Sequence, residues 1–133
     1  MKFNRCIAGA LLGLGVAAGS ANAHHGFGGE YDRGAPIYLE GTVVSAYFGY
    51  PHAEVELSVD MTVQSVELRG NAREFTDGLT FWRDEFGASP EIEFPPVALF
   101  FELDSRIQVG DRIAIIALRN CGAPHQLRGQ WVA

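Results

Sequence analysis

Four histidines and one cysteine near the end of the chain are the side chains best suited to bind a transition metal. Two of the histidines are adjacent, and the other two each follow a proline and precede a predicted strand. Imidazole nitrogen suits zinc, copper, iron and nickel, and cysteine sulfur suits copper and zinc. The sequence therefore predicts a metal site built from some of these side chains, which are His24, His25, His52, His125 and Cys121.

The N-terminal region predicts an export signal that ends just before the first histidine. A short basic segment precedes the apolar run Ile7–Ala18, and the small residues Ala21 and Ala23 form a cleavage site. Cleavage after Ala23 gives a signal peptide of residues 1–23 and a periplasmic or secreted protein. His24 then becomes the first residue and carries a free amine with a pKa of about 8. Its amine and ring together form a nitrogen chelate that favours Cu(II).

This chemistry predicts copper as the bound ion, with His24 and His52 as the main ligands. His24 binds through its amine and ring, and His25 and His125 are alternative ligands. A copper site of this kind is T-shaped or square-planar. The competing interpretations are that the two adjacent histidines only keep the cleavage region flexible, and that His52 and His125 are partly solvated residues at strand ends.

Cys121 suggests a second kind of copper site. The Cys-x3-His spacing from Cys121 to His125 is similar to the copper loop of cupredoxins, and His52 could supply the further histidine. The weak axial thioether is missing, because Met61 is the only methionine outside the leader. After cleavage Cys121 is also the only cysteine, so we expect no intramolecular disulfide and a sulfur that is either buried or bound to metal.

Composition excludes one class of partner. The chain has 133 residues, and the leader takes Lys2 and Arg5, which leaves 8 basic against 16 acidic residues and a net charge of about −8. Binding to nucleic acid depends on positive charge, so nucleic acid is excluded as a partner. No apolar run after the leader is long enough to span a bilayer, and no membrane span is predicted.

Other chemistry has weaker support in the sequence. No serine lies in a nucleophile elbow, and we expect no enzymatic activity and no catalytic residue. Glu54 and Glu56 are predicted to lie on a solvated strand face. The acidic stretch that ends with Glu91 and Glu93 lacks the ligand spacing of a calcium loop. Four aromatic residues are predicted to be core, with a pocket for an apolar ligand as the alternative: Phe75, Phe81, Trp82 and Phe86.

Alternating apolar residues predict a mainly β protein. Residues 71–86 have near-helical spacing and predict a helical or partly helical segment, and the prolines of residues 88–96 predict an extended loop. Strands with one helical insertion predict a small five- to six-stranded OB-like barrel over residues 37–133, after a flexible arm of residues 24–36. A cupredoxin-like sandwich is the competing architecture. The predicted strands are 37–48, 52–59, 62–68, 97–103, 112–118 and 126–132.

Several short motifs resemble a group of small exported bacterial proteins whose activity is unassigned. The motifs are His24–Phe27, the Leu-x-Gly-Thr-Val block within Pro36–Val43, Pro51–Ala53 and Val109–Ile113. The resemblance covers most of the chain after the leader. It implies export and an OB-like fold, and it carries no catalytic residues.

The sequence thus predicts an exported, non-enzymatic copper-binding protein that handles or delivers the ion. One alternative is a metal-free periplasmic module that binds a small molecule or a protein partner. The other is a cupredoxin-like electron carrier built on Cys121, His125 and His52.

Overall fold

Six strands form one sheet in the computed structural model, which describes residues 30–83 and 86–133. One short helix, α1 (Ala98–Phe101), continues into a 3₁₀ helix (Glu102–Ser105), and another 3₁₀ helix spans Gly70–Phe75. The strands are β1 (Ile37–Tyr47), β2 (Glu54–Val59), β3 (Thr80–Phe81), β4 (Glu91–Glu93), β5 (Arg112–Arg119) and β6 (Leu127–Val132).

Five of the strands close into a barrel. The order is β1-β2-β4-β6-β5, and β5 returns to pair with the first half of β1. All of these pairs are antiparallel except β4 with β6, and β3 adds a short parallel strand beside the start of β1. With α1 between β4 and β5, this is a small OB-like barrel. The predicted fold class is confirmed, and the competing two-sheet sandwich is wrong because the sheet closes on itself.

Alternation places one face of each strand in the barrel interior. On β2, Val55 and Leu57 are fully buried, whereas Glu54 and Glu56 point outward. α1 packs against the same interior, where the ring of Phe100 lies 4.7 Å from that of Phe94. The core is therefore continuous from the strands to the helix.

β1 pairs with β5 along its first half and with β2 along its second half, and Gly41 pairs with both strands. Gly41 pairs with Val59 of β2 and with Ile113 of β5. A Cβ atom on Gly41 would lie 2.1 Å from the backbone oxygen of Ser58. The neighbouring strand thus approaches closely enough to require glycine.

An ion-pair network joins the same three strands on the outside. The Arg112 guanidinium contacts Glu40 at 2.9 Å and Asp60 at 2.8 Å. Hydrogen bonds from Thr62 and then from Arg112 lower the pKa of Asp60 to about 2. Burial, reinforced by the hydrogen bond to Glu40, raises the pKa of Tyr38 to about 12. The network fixes the strand ends beside Gly41.

The segment predicted to be helical or partly helical, residues 71–86, is helical only at its start. The chain forms one 3₁₀ helix and then turns through Gly78, whose φ of +73° favours glycine, before it enters β3. A Cβ at Gly78 would also lie 2.1 Å from the backbone oxygen of Gly34. The apolar residues serve two different cores: Phe75 and Leu79 pack outside the barrel, and Trp82 is buried inside it.

Two predicted strands are wrong. Residues 97–103 form α1 and the start of the following 3₁₀ helix, because Phe100 and Leu103 meet the core at helical spacing. Residues 62–68 have no regular structure, although Val63, Val66 and Leu68 pack on an outer cluster around Tyr38 and Ile116.

The loop predicted for residues 88–96 contains β4. Here Ile92 and Phe94 face inward, and Glu91 and Glu93, which alternate with them, face outward. Strand alternation is therefore present in this segment despite its flanking prolines.

The arm predicted for residues 24–36 is described only from residue 30. Tyr31 forms a β-bridge with Asn120, and the Asp32 amide donates to the Arg119 carbonyl. This part of the arm is held against the end of β5. The predicted signal peptide lies outside the described residues. Among the residues that are described, no helix has the length and apolarity to cross a membrane.

Candidate metal site

The outer face where β2 meets β4 brings together one imidazole and two carboxylates. Ala53 and Val55 are buried, so the alternating pattern turns His52 and Glu54 outward. On β4 the buried Ile92 likewise turns Glu93 outward. The antiparallel register then sets Glu54 directly opposite Glu93.

The three side chains are close enough to share an ion. His52 Nε2 lies 3.0 Å from Glu54 Oε1 and 3.7 Å from Glu93 Oε2. One ligand atom from each residue can be chosen so that all three lie within 4.8 Å of one another. The side chains of His52 and Glu93 are only 14% and 16% exposed, whereas Glu54 is 37% exposed. We call this group the His52 cluster; it offers one nitrogen and two oxygen ligands.

Like charges face each other across this part of the sheet. Besides Glu54 and Glu93, the register places Glu56 opposite Glu91, and the Ser45 hydroxyl donates to Glu56 at 3.2 Å. Directly opposed like charges destabilise an antiparallel pair. On its other side Glu93 lies opposite Arg128 of β6, so part of this negative charge faces a guanidinium.

The structure brings only one of the sequence-predicted ligands into this cluster. His52 belongs to it, whereas His24 and His25 lie outside the described residues. His125 is exposed and lines a neighbouring groove of about 390 Å³ together with Glu91 and Glu93. Its ring is not part of the three-residue group.

Cys121 offers no thiolate in the structure, because its sulfur is disulfide-bonded. The expectation that no intramolecular disulfide forms applied to the processed protein, in which Cys121 is the only cysteine. The cupredoxin-like site therefore stays a prediction for the processed protein.

Sequence reasoning missed the two carboxylate partners of His52. From the sequence, Glu54 was assigned to a solvated strand face. Glu93 was assigned to an acidic stretch that lacks the ligand spacing of a calcium loop. The pattern Glu-Ile-Glu-Phe at residues 91–94 could have revealed β4, because its two apolar residues alternate with outward glutamates. The strand pairing itself has no local signal.

No family model matches this sequence, and no curated protein matches it. The resemblance to small exported bacterial proteins therefore stays a prediction. In other OB-fold proteins, the face of the second and third strands binds oligonucleotides and oligosaccharides. In this barrel those strands are β2 and β4.

The aromatic residues considered for a ligand pocket are mostly packed into the protein. Trp82 is 3% exposed in the main core, and Phe75 and Phe81 belong to the outer cluster. Phe86 is 44% exposed and lies under the Arg119 guanidinium at 4.9 Å from the ring centroid. The interpretation as core residues is therefore confirmed for Trp82, holds in part for Phe75 and Phe81, and is wrong for Phe86.

Proposed function

We propose that this protein is an exported, non-enzymatic metal-binding protein, and that copper is its ion. The observation that carries the proposal is the approach of the His52 imidazole to the Glu54 and Glu93 carboxylates. Its role is to hold a divalent ion and to pass it on to a periplasmic protein partner.

The charge of the cluster supports binding of a divalent cation. Two carboxylates neutralise a doubly charged ion, and the neutral imidazole adds a nitrogen ligand. The low exposure of His52 and Glu93 reduces competition from water for these two ligands.

Copper is proposed because of the processed N-terminus. One nitrogen and two oxygens alone do not distinguish copper from zinc or manganese. The amine and ring of His24 would add two nitrogens and produce the nitrogen-rich environment that Cu(II) favours. His25 and His125 are the alternative nitrogen ligands, and Cys121 would bind only as a free thiolate.

The first test is a Cu(II) titration of protein that has been exported and processed by a cell, with its new terminus confirmed by intact mass. We expect one tight equivalent with a nitrogen-rich axial EPR signal. The protein should also unfold at a higher temperature with copper, since an ion that binds only the native state stabilises it. Weak binding without a fixed stoichiometry would contradict the proposal.

A second variant tests the contribution of the N-terminus. One extra residue ahead of His24 moves the free amine away from the imidazole and breaks the chelate. We expect the copper affinity to fall at least about tenfold, equivalent to about 1.4 kcal/mol, with fewer nitrogens in the EPR signal. A matched protein that carries the extra residue at its C-terminus should bind as before. Equal affinity in all three proteins would remove His24 from the ligand set.

A further inference from the structure

A guanidinium flanks the His52 cluster on the side away from Glu54. In the parallel pairing of β4 with β6, Glu93 is the partner of Arg128, and paired residues of neighbouring strands point to the same face. The backbones of two such strands are about 4.8 Å apart. Glu93 therefore stands between two neighbours of opposite charge, Glu54 on β2 and Arg128 on β6.

The arm that precedes β1 restrains the side chain of Arg128. Its guanidinium carbon lies 5.7 Å from the centre of the Tyr31 ring, a distance at which the face of an aromatic ring attracts a cation. Tyr31 is itself buried and forms the β-bridge with Asn120. The positive charge of Arg128 is thus held by packing on the outer face of the sheet, next to β4.

We propose that Arg128 is a built-in counter-cation that limits the affinity of the His52 cluster for its ion and speeds the release of that ion. This inference rests on the proposed metal-binding function and deepens it. Arg128 is a positioning residue in this proposal, because it acts through Glu93 and does not bind the ion itself.

The charges of the groups explain the effect. In the metal-free protein, Arg128 compensates part of the negative charge of Glu54 and Glu93. When Cu(II) binds, the two carboxylates balance its double charge, and the guanidinium is left as an uncompensated positive charge beside the ion. Repulsion between like charges is stronger where water is scarce, and the Glu93 side chain is only 16% exposed. Arg128 therefore destabilises the loaded protein relative to the metal-free protein, which favours transfer of the ion to a partner.

The test removes the charge of Arg128 and measures copper affinity in processed protein. We expect Arg128→Gln to bind the tight Cu(II) equivalent at least about threefold more strongly, the size typical of one charge pair near a surface. Competition with a chelator of known affinity measures this change. Release of copper into excess EDTA, followed by stopped flow, should slow by a similar factor. Arg128→Lys, which keeps the charge, should bind and release copper like the unaltered protein.

Two controls make the result specific to this position. Arg128→Met also removes the charge but keeps an apolar stem, and it should bind copper as tightly as Arg128→Gln does. Circular dichroism checks that each metal-free variant is folded. Arg112→Gln makes the same change in net charge, but Arg112 is paired with Glu40 and Asp60 beside Gly41. It should lose stability and keep the copper affinity of the unaltered protein.

The direction of the change separates the possible results. If Arg128 only orients Glu93 or only stabilises the barrel, its removal will weaken copper binding. Weaker or unchanged binding in Arg128→Gln and Arg128→Met would therefore overturn the inference and leave the proposed function standing. An equal gain in Arg112→Gln would also overturn it, because net charge alone would then be responsible. Absence of tight binding in the unaltered protein would overturn both proposals.

Discussion

Gly41→Ala should lower the free energy of unfolding by about 3 kcal/mol or more, a size reached by only a few mechanisms such as overpacking and backbone strain. The new methyl group would lie 2.1 Å from the Ser58 carbonyl oxygen, a backbone atom that cannot rotate away. Relief requires β2 to move off β1. Because Gly41 also pairs with Ile113, that movement would disturb the closure of the barrel on both sides.

Urea unfolding, followed by circular dichroism, measures this loss. Gly122→Ala is the matched control, because a Cβ there meets only the Asn120 side-chain oxygen, at an ordinary distance of 3.6 Å. We expect the control to change stability by less than about 0.5 kcal/mol, as is usual for surface substitutions. Equal losses in the two variants would show that the approach of β2 to Gly41 is not what limits the substitution.

The barrel could be predicted from sequence because its longest strands have strong local patterns. β1, β2 and β5 alternate or are strongly apolar. The strand predicted for residues 97–103 is wrong because a short apolar run satisfies strand and helix periodicity equally well. The segment is helical in the structure because a helix allows both Phe100 and Leu103 to pack into the core.

The candidate site was predicted only in part, for a different reason. His52 stands out because it follows a proline and precedes a strand, which are properties of the local sequence. Its partnership with Glu93 comes from the register of β2 with β4, across a separation of 41 residues in the chain. This register cannot be predicted from a single sequence. In addition, four carboxylates on one sheet face are typical of an ordinary solvated surface.

His52→Ala should abolish the tight copper equivalent or weaken it by about 100-fold, equivalent to about 2.7 kcal/mol. The substitution removes the one nitrogen of the cluster and leaves Glu54 facing Glu93 with no imidazole between them. The copper-induced gain in stability should fall by a similar amount, since it depends on the ratio of ion concentration to the dissociation constant. Isothermal titration and thermal unfolding, each with and without copper, measure the two quantities on the same samples.

Glu56→Gln is the control that separates a specific site from a general attraction of cations to acidic groups. Glu56 lies on the same strand face and opposes Glu91, but it is outside the His52 cluster. If the cluster is the site, this variant should keep its copper affinity within about threefold, a change of about 0.7 kcal/mol. If the sheet face attracts ions only through its negative charge, Glu56→Gln should weaken binding as much as His52→Ala does. The comparison therefore decides whether the imidazole is a ligand or only a neighbour of the carboxylates.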